Sequence, residues 1–167
     1  RAIYTPIIYL EPFNERNVRA IGFDAFTEPV RRKAMEQSRD YNMPVLSGKV
    51  VLRQETEKDV QSGTVMYAPV YKNLPLNTIE NRRSAIIGWV FSPFRMDDLM
   101  NSILGNRILK DHEKIHLEIY DGETISQNSL IGNNPAKKLS KNPESLFFLR
   151  YLQNDLKFIS REFNLLC

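Results

Sequence analysis

The sequence predicts an α+β fold in which an antiparallel sheet is flanked by helices, and three observations carry that prediction. Runs rich in β-branched and aromatic residues recur between loop-forming stretches. Two segments have the start signal of a helix, a polar or acidic residue followed by proline in the first turn. The order is strand, helix, then strands joined by loops, which suits an antiparallel arrangement.

Ile3 to Leu10 reads as the first strand, punctuated by Pro12. Thr27 or Glu28 ahead of Pro29 starts a helix, because proline's missing N–H costs nothing in the first turn. That helix should run to about Asn42 and stop before Pro44. Val30, Ala34 and Tyr41 fall near one face, and Arg31, Arg32, Glu36 and Arg39 are expected in water. Lys49 to Gln54, Thr64 to Tyr71 and Ser84 to Phe91 read as strands, with Lys72 to Arg83, carrying Pro75 and asparagines, as a loop. Pro69 inside the second of these argues that the strand is an edge or is bulged there. Ser92-Pro93 then reads as the start of a second helix, with Met96, Leu99, Met100 and Ile103 as its buried stripe.

Beyond Gly105 the pattern changes. Ile115, Leu117 and Ile119 alternate with His116, Glu118 and Tyr120, a half-buried strand that ends in the turn Asp121-Gly122. Ser126 to Pro143 reads as a polar loop, and Leu146 to Leu152 and Leu156 to Phe163 as two more strands. The expected organisation is a larger lobe over residues 1–109 and a smaller one over residues 110–167.

The chain has 167 residues, 42% hydrophobic and 10% aromatic, enough for one ordinary domain or two small lobes. Its 23 basic and 20 acidic residues are interspersed without long blocks of one sign, which excludes a nucleic-acid footprint. A single cysteine, Cys167, leaves no internal disulfide, so stability must come from the core. No apolar run approaches the roughly 18 residues that a membrane-spanning helix needs. The chain opens on a strand-like run with no methionine or signal-like segment, as expected of a piece of a larger protein.

One motif invites a different reading. His112-Glu113-Lys114-Ile115-His116 matches H-E-x-x-H, in which two imidazoles one helical turn apart hold Zn²⁺ and the glutamate activates water. That chemistry needs a helix through both histidines. The alternation from Ile115 places a strand there, where four residues span about 13 Å rather than about 6 Å. A zinc-dependent hydrolase using His112, Glu113 and His116 is therefore the alternative, separable by a bound-metal assay, and the expectation is that the two histidines share no metal. Ser47-Gly48-Lys49 lacks the upstream glycine of a phosphate loop. No serine sits in G-x-S-x-G, and Asp97-Asp98 suit the positive end of a helix.

A set of short pieces carries more than any one of them. They are Tyr4-Thr5-Pro6, Leu10-Glu11-Pro12 with Asn17, Gly22-Phe23-Asp24, Pro29 to Ala34, Gln54, Gly63 leading to Tyr67-Ala68-Pro69-Val70-Tyr71, Gly88-Trp89-Val90-Phe91, and Phe94-Arg95. In this order and spacing the chain resembles the CHASE domain. That domain is the extracytoplasmic sensor of many bacterial histidine kinases and diguanylate cyclases and of plant cytokinin receptors.

The resemblance covers a little over half of the chain. It implies a PAS-like membrane-distal lobe, 1–109, with the family's N-terminal helix outside the chain, and a membrane-proximal lobe, 110–167. It also implies a non-catalytic receiver of small molecules that needs no cofactor. Such a receiver would lie on the periplasmic face of the cell membrane, attached through transmembrane helices outside this chain. The full receptor would be a homodimer and would have no nucleic-acid partner.

Carried over residue by residue, the resemblance puts Asp24 at the polar anchor of the ligand and Leu46 on the lining of its pocket. Tyr67 stands where the plant receptors have a threonine. A phenol ring there fills space a cytokinin would occupy, so a different ligand is expected. Tyr67 and Met66 point to opposite sides of their strand, so only one of the two can line a pocket. From the residues alone, Asp24 is either a turn or cap residue or a carboxylate in need of a partner among Phe23 and Phe26.

Overall fold

The computed structural model describes residues 3–56, 59–104, 116–122, 124–133, 146–152 and 155–159. In chain order these form α1 (Glu15–Val18), a 3-10 turn (Ala25–Thr27), α2 (Pro29–Tyr41), β1 (Val45–Leu46), β2 (Val50–Val51), β3 (Ser62–Tyr71) and α3 (Ile79–Ala85). There follow β4 (Ile86–Arg95), α4 (Met96–Leu104), β5 (His116–Asp121), β6 (Leu130–Asn133), β7 (Leu146–Leu152) and β8 (Asp155–Ile159). The chain divides into two compact units, Arg1–Phe94 and Arg95–Cys167. The lobe boundary expected at Leu109 lies outside the described residues.

In the first unit, α2 begins and ends as its sequence dictates. The Glu28 carboxylate accepts from Val30 N and Arg31 N, Pro29 occupies the first turn, and Asn42 closes the helix in the left-handed conformation. The buried face differs from the expected one. Arg31, Ala34, Met35, Ser38 and Arg39 are buried, whereas Tyr41 is exposed. The true stripe follows i, i+3, i+4, i+7 and i+8 from Arg31, and its centre is small. Ala34 and Ser38 let the helix come close to its neighbours, and the long stems of Arg31 and Arg39 pack at its two ends.

The sheet beside α2 is antiparallel. Val45 and Leu46 pair with Tyr67 and Met66, and Val50 and Val51 pair with Gly63 and Ser62. The two registers differ by one residue, so β1 and β2 follow the same edge of β3 with a bulge at Ser47 to Lys49. There the Ser47 hydroxyl accepts from Val65 N at 2.9 Å while Ser47 N donates to Val65 O at 2.8 Å. β4 pairs with β3 as well. Alternation from Val65 points the backbone of Pro69 toward the β1 edge, beyond the last β1 pair at Tyr67. Proline's missing N–H therefore interrupts no paired position of β1, and the edge reading of Pro69 holds locally.

Four expectations for this unit need correction. Ile3 to Leu10 forms an isolated bridge, Pro6 with Asp24, rather than a strand. Pro6 lacks the donor needed to extend a ladder, and Ile8 and Tyr9 beyond it are exposed. Lys49 to Gln54 is a strand only at Val50–Val51, because the chain turns back with Glu55 N bonded to Leu52 O. Lys72 to Arg83 is not all loop: the Thr78 hydroxyl caps α3 by accepting from Asn81 N, with Glu80 in the first turn and Arg82 and Arg83 in the last. Ser92-Pro93 does not open a helix. β4 runs on to Arg95 and α4 starts at Met96; β4 pairs only with β3 among the described strands, which leaves an edge that tolerates Pro93.

The core of this unit is Ala25, Phe26, Ala34, Met35, Val45, Val50, Leu52, Val65 and Tyr67, with Phe23, Val30, Trp89 and Phe91 packed against it. Trp89 Nε1 donates to Met35 O at 3.0 Å and to the Ser38 hydroxyl at 2.9 Å, which ties β4 to the middle of α2. At the far end of α2, Asp40 receives Arg39 Nε at 2.7 Å and Arg83 Nη2 at 2.6 Å, while Arg82 Nε bonds Asp40 O at 2.8 Å. These contacts hold α3 against the helix.

In the second unit, α4 carries Asp97 and Asp98 in its first turn, and Arg95 bonds Asp98 at the β4–α4 junction. Met96 and Met100 of the expected stripe are buried. β5 lies where a strand was predicted, but Ile119 and Tyr120 are both buried, so the expected alternation does not hold there; Gly122, whose φ is +81°, follows the strand. The strand order is β6-β5-β7-β8, and β5 and β7 run parallel between two antiparallel pairs. The antiparallel expectation therefore holds for the first sheet and not for this pair. Leu130–Asn133 is strand where a loop was expected, because Ile131 is buried and pairing with β5 overrides the polar flanks.

Two measurements follow. A Cβ at Gly63 would stand 2.7 Å from Leu52 Cγ and 2.8 Å from Phe94 O, and a backbone oxygen cannot swing aside. Gly63→Ala should cost about 1–3 kcal/mol in urea unfolding. For Asp40, the Arg83 hydrogen bond outweighs burial and, with Arg39, holds the carboxyl down to about 2. Its folded pKa lies below the unfolded value, so its contribution is full above pH about 4 and is lost as pH falls toward 2. Asp40→Asn should flatten the stability profile between those two pH values and leave its shape above pH 5 unchanged.

Candidate functional site

Asp24 lies where the N-terminal segment meets the start of the 3-10 turn. Its Oδ1 accepts from Thr5 N at 3.1 Å, Thr5 Oγ1 at 3.0 Å and Phe26 N at 3.2 Å. The Thr5 hydroxyl in turn accepts from Phe26 N at 3.1 Å. Ile7 N donates to Phe23 O and Gly22 N to Ile7 O, so residues 5–7 are clipped along residues 22–25. Asp24 is thus a cap with a charged acceptor, which is the cap reading of its sequence made concrete.

Tyr67 points into the unit and is 3% exposed; Met66, one residue earlier, is 38% exposed on the opposite side. The strand's two-residue period separates them, and Leu46, the direct cross-strand partner of Met66, shares its face, so the structure does not bring Leu46 and Tyr67 together. The Tyr67 ring lies 6.2 Å from that of Phe91. Burial raises the Tyr67 hydroxyl above its ordinary pKa; the Arg31 guanidinium pulls it back and the Glu28 carboxylate pushes it up. Tyr67 therefore stays a neutral phenol and a hydrogen-bond donor at neutral pH.

Arg31 is the functional candidate that sequence reasoning placed in water. It is 6% exposed. Its Nη2 donates to Val51 O at 2.9 Å, and Glu28 Oε2 stands 3.6 Å from Nε. The signal that could have found it is the spacing 31, 34, 35, 38, with Glu28 one turn earlier to offset the charge. Phe23, whose ring meets Arg31 and Arg53, was read only as a neighbour of Asp24. Arg32 stays at the periphery, with Nε on Phe26 O at 2.8 Å.

Of the zinc motif, His112 and Glu113 lie outside the described residues, and His116 opens β5. Among the described residues no group of three or more His, Cys, Asp or Glu could hold a metal. Burial, with the hydrogen bond that Tyr120 Oη donates to Glu118 at 2.6 Å, pushes that phenol up to about 12. No helix of the described residues is long and apolar enough to cross a membrane.

The family model of the CHASE domain matches residues 1–131, and the chain belongs to that family. CHASE domains are extracytoplasmic sensor domains of signalling receptors and are generally non-catalytic. No curated protein matches the chain. The matched span covers the whole first unit and continues through α4 and β5 into β6.

Asparagine is as good a helix cap as aspartate but carries no charge. Asp24→Asn should therefore stay within about 0.5 kcal/mol of the parent in thermal unfolding, whereas Asp24→Ala should lose about 1–2 kcal/mol. Equal losses in the two variants would mean that the charge, and not the cap geometry, holds the N-terminal segment.

Proposed function

We propose that this chain is the ligand-sensing part of a transmembrane receptor whose output domain is a histidine kinase or a diguanylate cyclase or phosphodiesterase. The observation that carries it is the CHASE match over residues 1–131.

In this reading residues 1–109 form a PAS-like membrane-distal lobe and residues 110–167 a membrane-proximal one, on the periplasmic face of the membrane. The ligand lies against the face of the sheet that carries Tyr67, with Asp24 as a polar anchor for an amine or ring N–H. Met66 and its cross-strand partner Leu46, on the other face, contribute at most to the rim. Occupancy passes to the membrane as a shift in population between two arrangements of a receptor homodimer.

Two arms test it. The purified chain, offered pooled small-molecule metabolites, should retain at least one by native mass spectrometry. Asp24→Asn should weaken that complex about ten- to hundred-fold while the melting temperature holds. In the parent receptor, Tyr67→Ala should change output without changing protein abundance. A chain that captures nothing, with an output indifferent to Tyr67, would contradict the proposal.

A further inference from the structure

Two guanidinium groups address one aromatic ring near the start of α2. Arg31 Cζ lies 5.4 Å and Arg53 Cζ 4.5 Å from the centre of the Phe23 ring. The ring attracts each cation, but two cations this close to one ring centre also repel one another. Local compensation is incomplete. Glu28, the acid beside Arg31, already accepts Val30 N and Arg31 N at 3.0 Å each, and its Oε2 is 3.6 Å from Arg31 Nε. Arg31 Nε is buried and has no hydrogen-bond partner. Buried orphan donors are rare in native proteins and call for an acceptor. The Tyr67 phenol, which is hydrogen-bonded to the Arg31 side chain, presents its own O–H as a further donor there.

We propose that Arg31, Arg53 and Tyr67, around the Phe23 ring, form a binding site for a small carboxylate. A carboxylate is planar, takes two N–H bonds from a guanidinium fork, and would supply the acceptor that Nε lacks. Arg31 is the fixed partner, held by Val51 O and by its packed stem. Arg53 is exposed and stands at the mouth, where it steers and then covers the anion. The phenol of Tyr67 fixes orientation, and the ring of Phe23 meets the apolar part of the ligand. The inference rests on the sensor reading and specifies its ligand class.

The test uses the whole 167-residue chain titrated with acetate, propionate and succinate, and separately with inorganic phosphate, acetamide and methylammonium, by calorimetry and by ring-proton spectra of Phe23 and Tyr67. At least one carboxylate should bind and shift both rings. Arg53→Gln, on an exposed side chain, should weaken it about tenfold with an unchanged melting temperature. Arg31→Lys should weaken it as much, because the charge remains but the fork is lost. The inference is overturned by no carboxylate binding at millimolar concentration, by binding of phosphate alone, or by affinity indifferent to Arg53→Gln. Binding of acetamide or methylammonium at these rings would remove the carboxylate and leave the sensor reading in place. Failure of the sensor reading itself is seen only when no metabolite of any charge is captured.

Discussion

The seating of α2 on the first sheet is the constraint on which the rest of the first unit depends. Ala34 and Ser38 are fully buried at the middle of the helix. Their small size brings the helix backbone within reach of Trp89, whose Nε1 bonds both Met35 O and the Ser38 hydroxyl. An indole N–H buried without partners would destabilise the unit, and here it is the link between helix and strand. With the centre fixed, the two arginines at the ends have set places. Arg31 reaches Val51 O and the Phe23 ring, and Arg39 meets Asp40, while its carbonyl accepts the hydroxyl of Tyr71.

The residues that carry the family resemblance mostly turn out to build this scaffold. Thr5 and Asp24 clip the N-terminal segment onto the 3-10 turn, Gly63 lets Leu52 and Phe94 approach, and Trp89 and Tyr71 fasten the sheet to α2. Tyr67 and Arg31, which belong to the same pieces, are buried in the unit, and Arg53 is exposed.

Much of this was legible in the sequence where local rules decide. Glu28-Pro29 and Asn42 bounded α2, a β-branched and aromatic run marked β3, an apolar–polar pattern marked a strand at β5, and the period of two separated Met66 from Tyr67. Long-range effects hid the rest. Pro6 and the turn after Leu52 cut short two strand-like runs, and pairing kept Pro93 in β4 instead of in a helix. Thr78 and Asn81 did carry a cap signal for α3, which Pro75 masked. The parallel pairing of β5 with β7 has no signature in either strand's own residues. At the site, the position of Asp24 was readable from its motif, whereas the burial of Arg31 was not. A charged residue declares itself interior only when the helix is known to pivot on Ala34 and Ser38 rather than on Val30.

Hydrogen exchange of the chain with and without Trp89→Phe tests the central claim most directly. The account expects that losing the Nε1 bonds speeds exchange of α2, β3 and β4 amides together and by a similar factor, because one seam holds all three. Faster exchange confined to β4, with α2 protected as before, would show that the helix is held by something other than this seam.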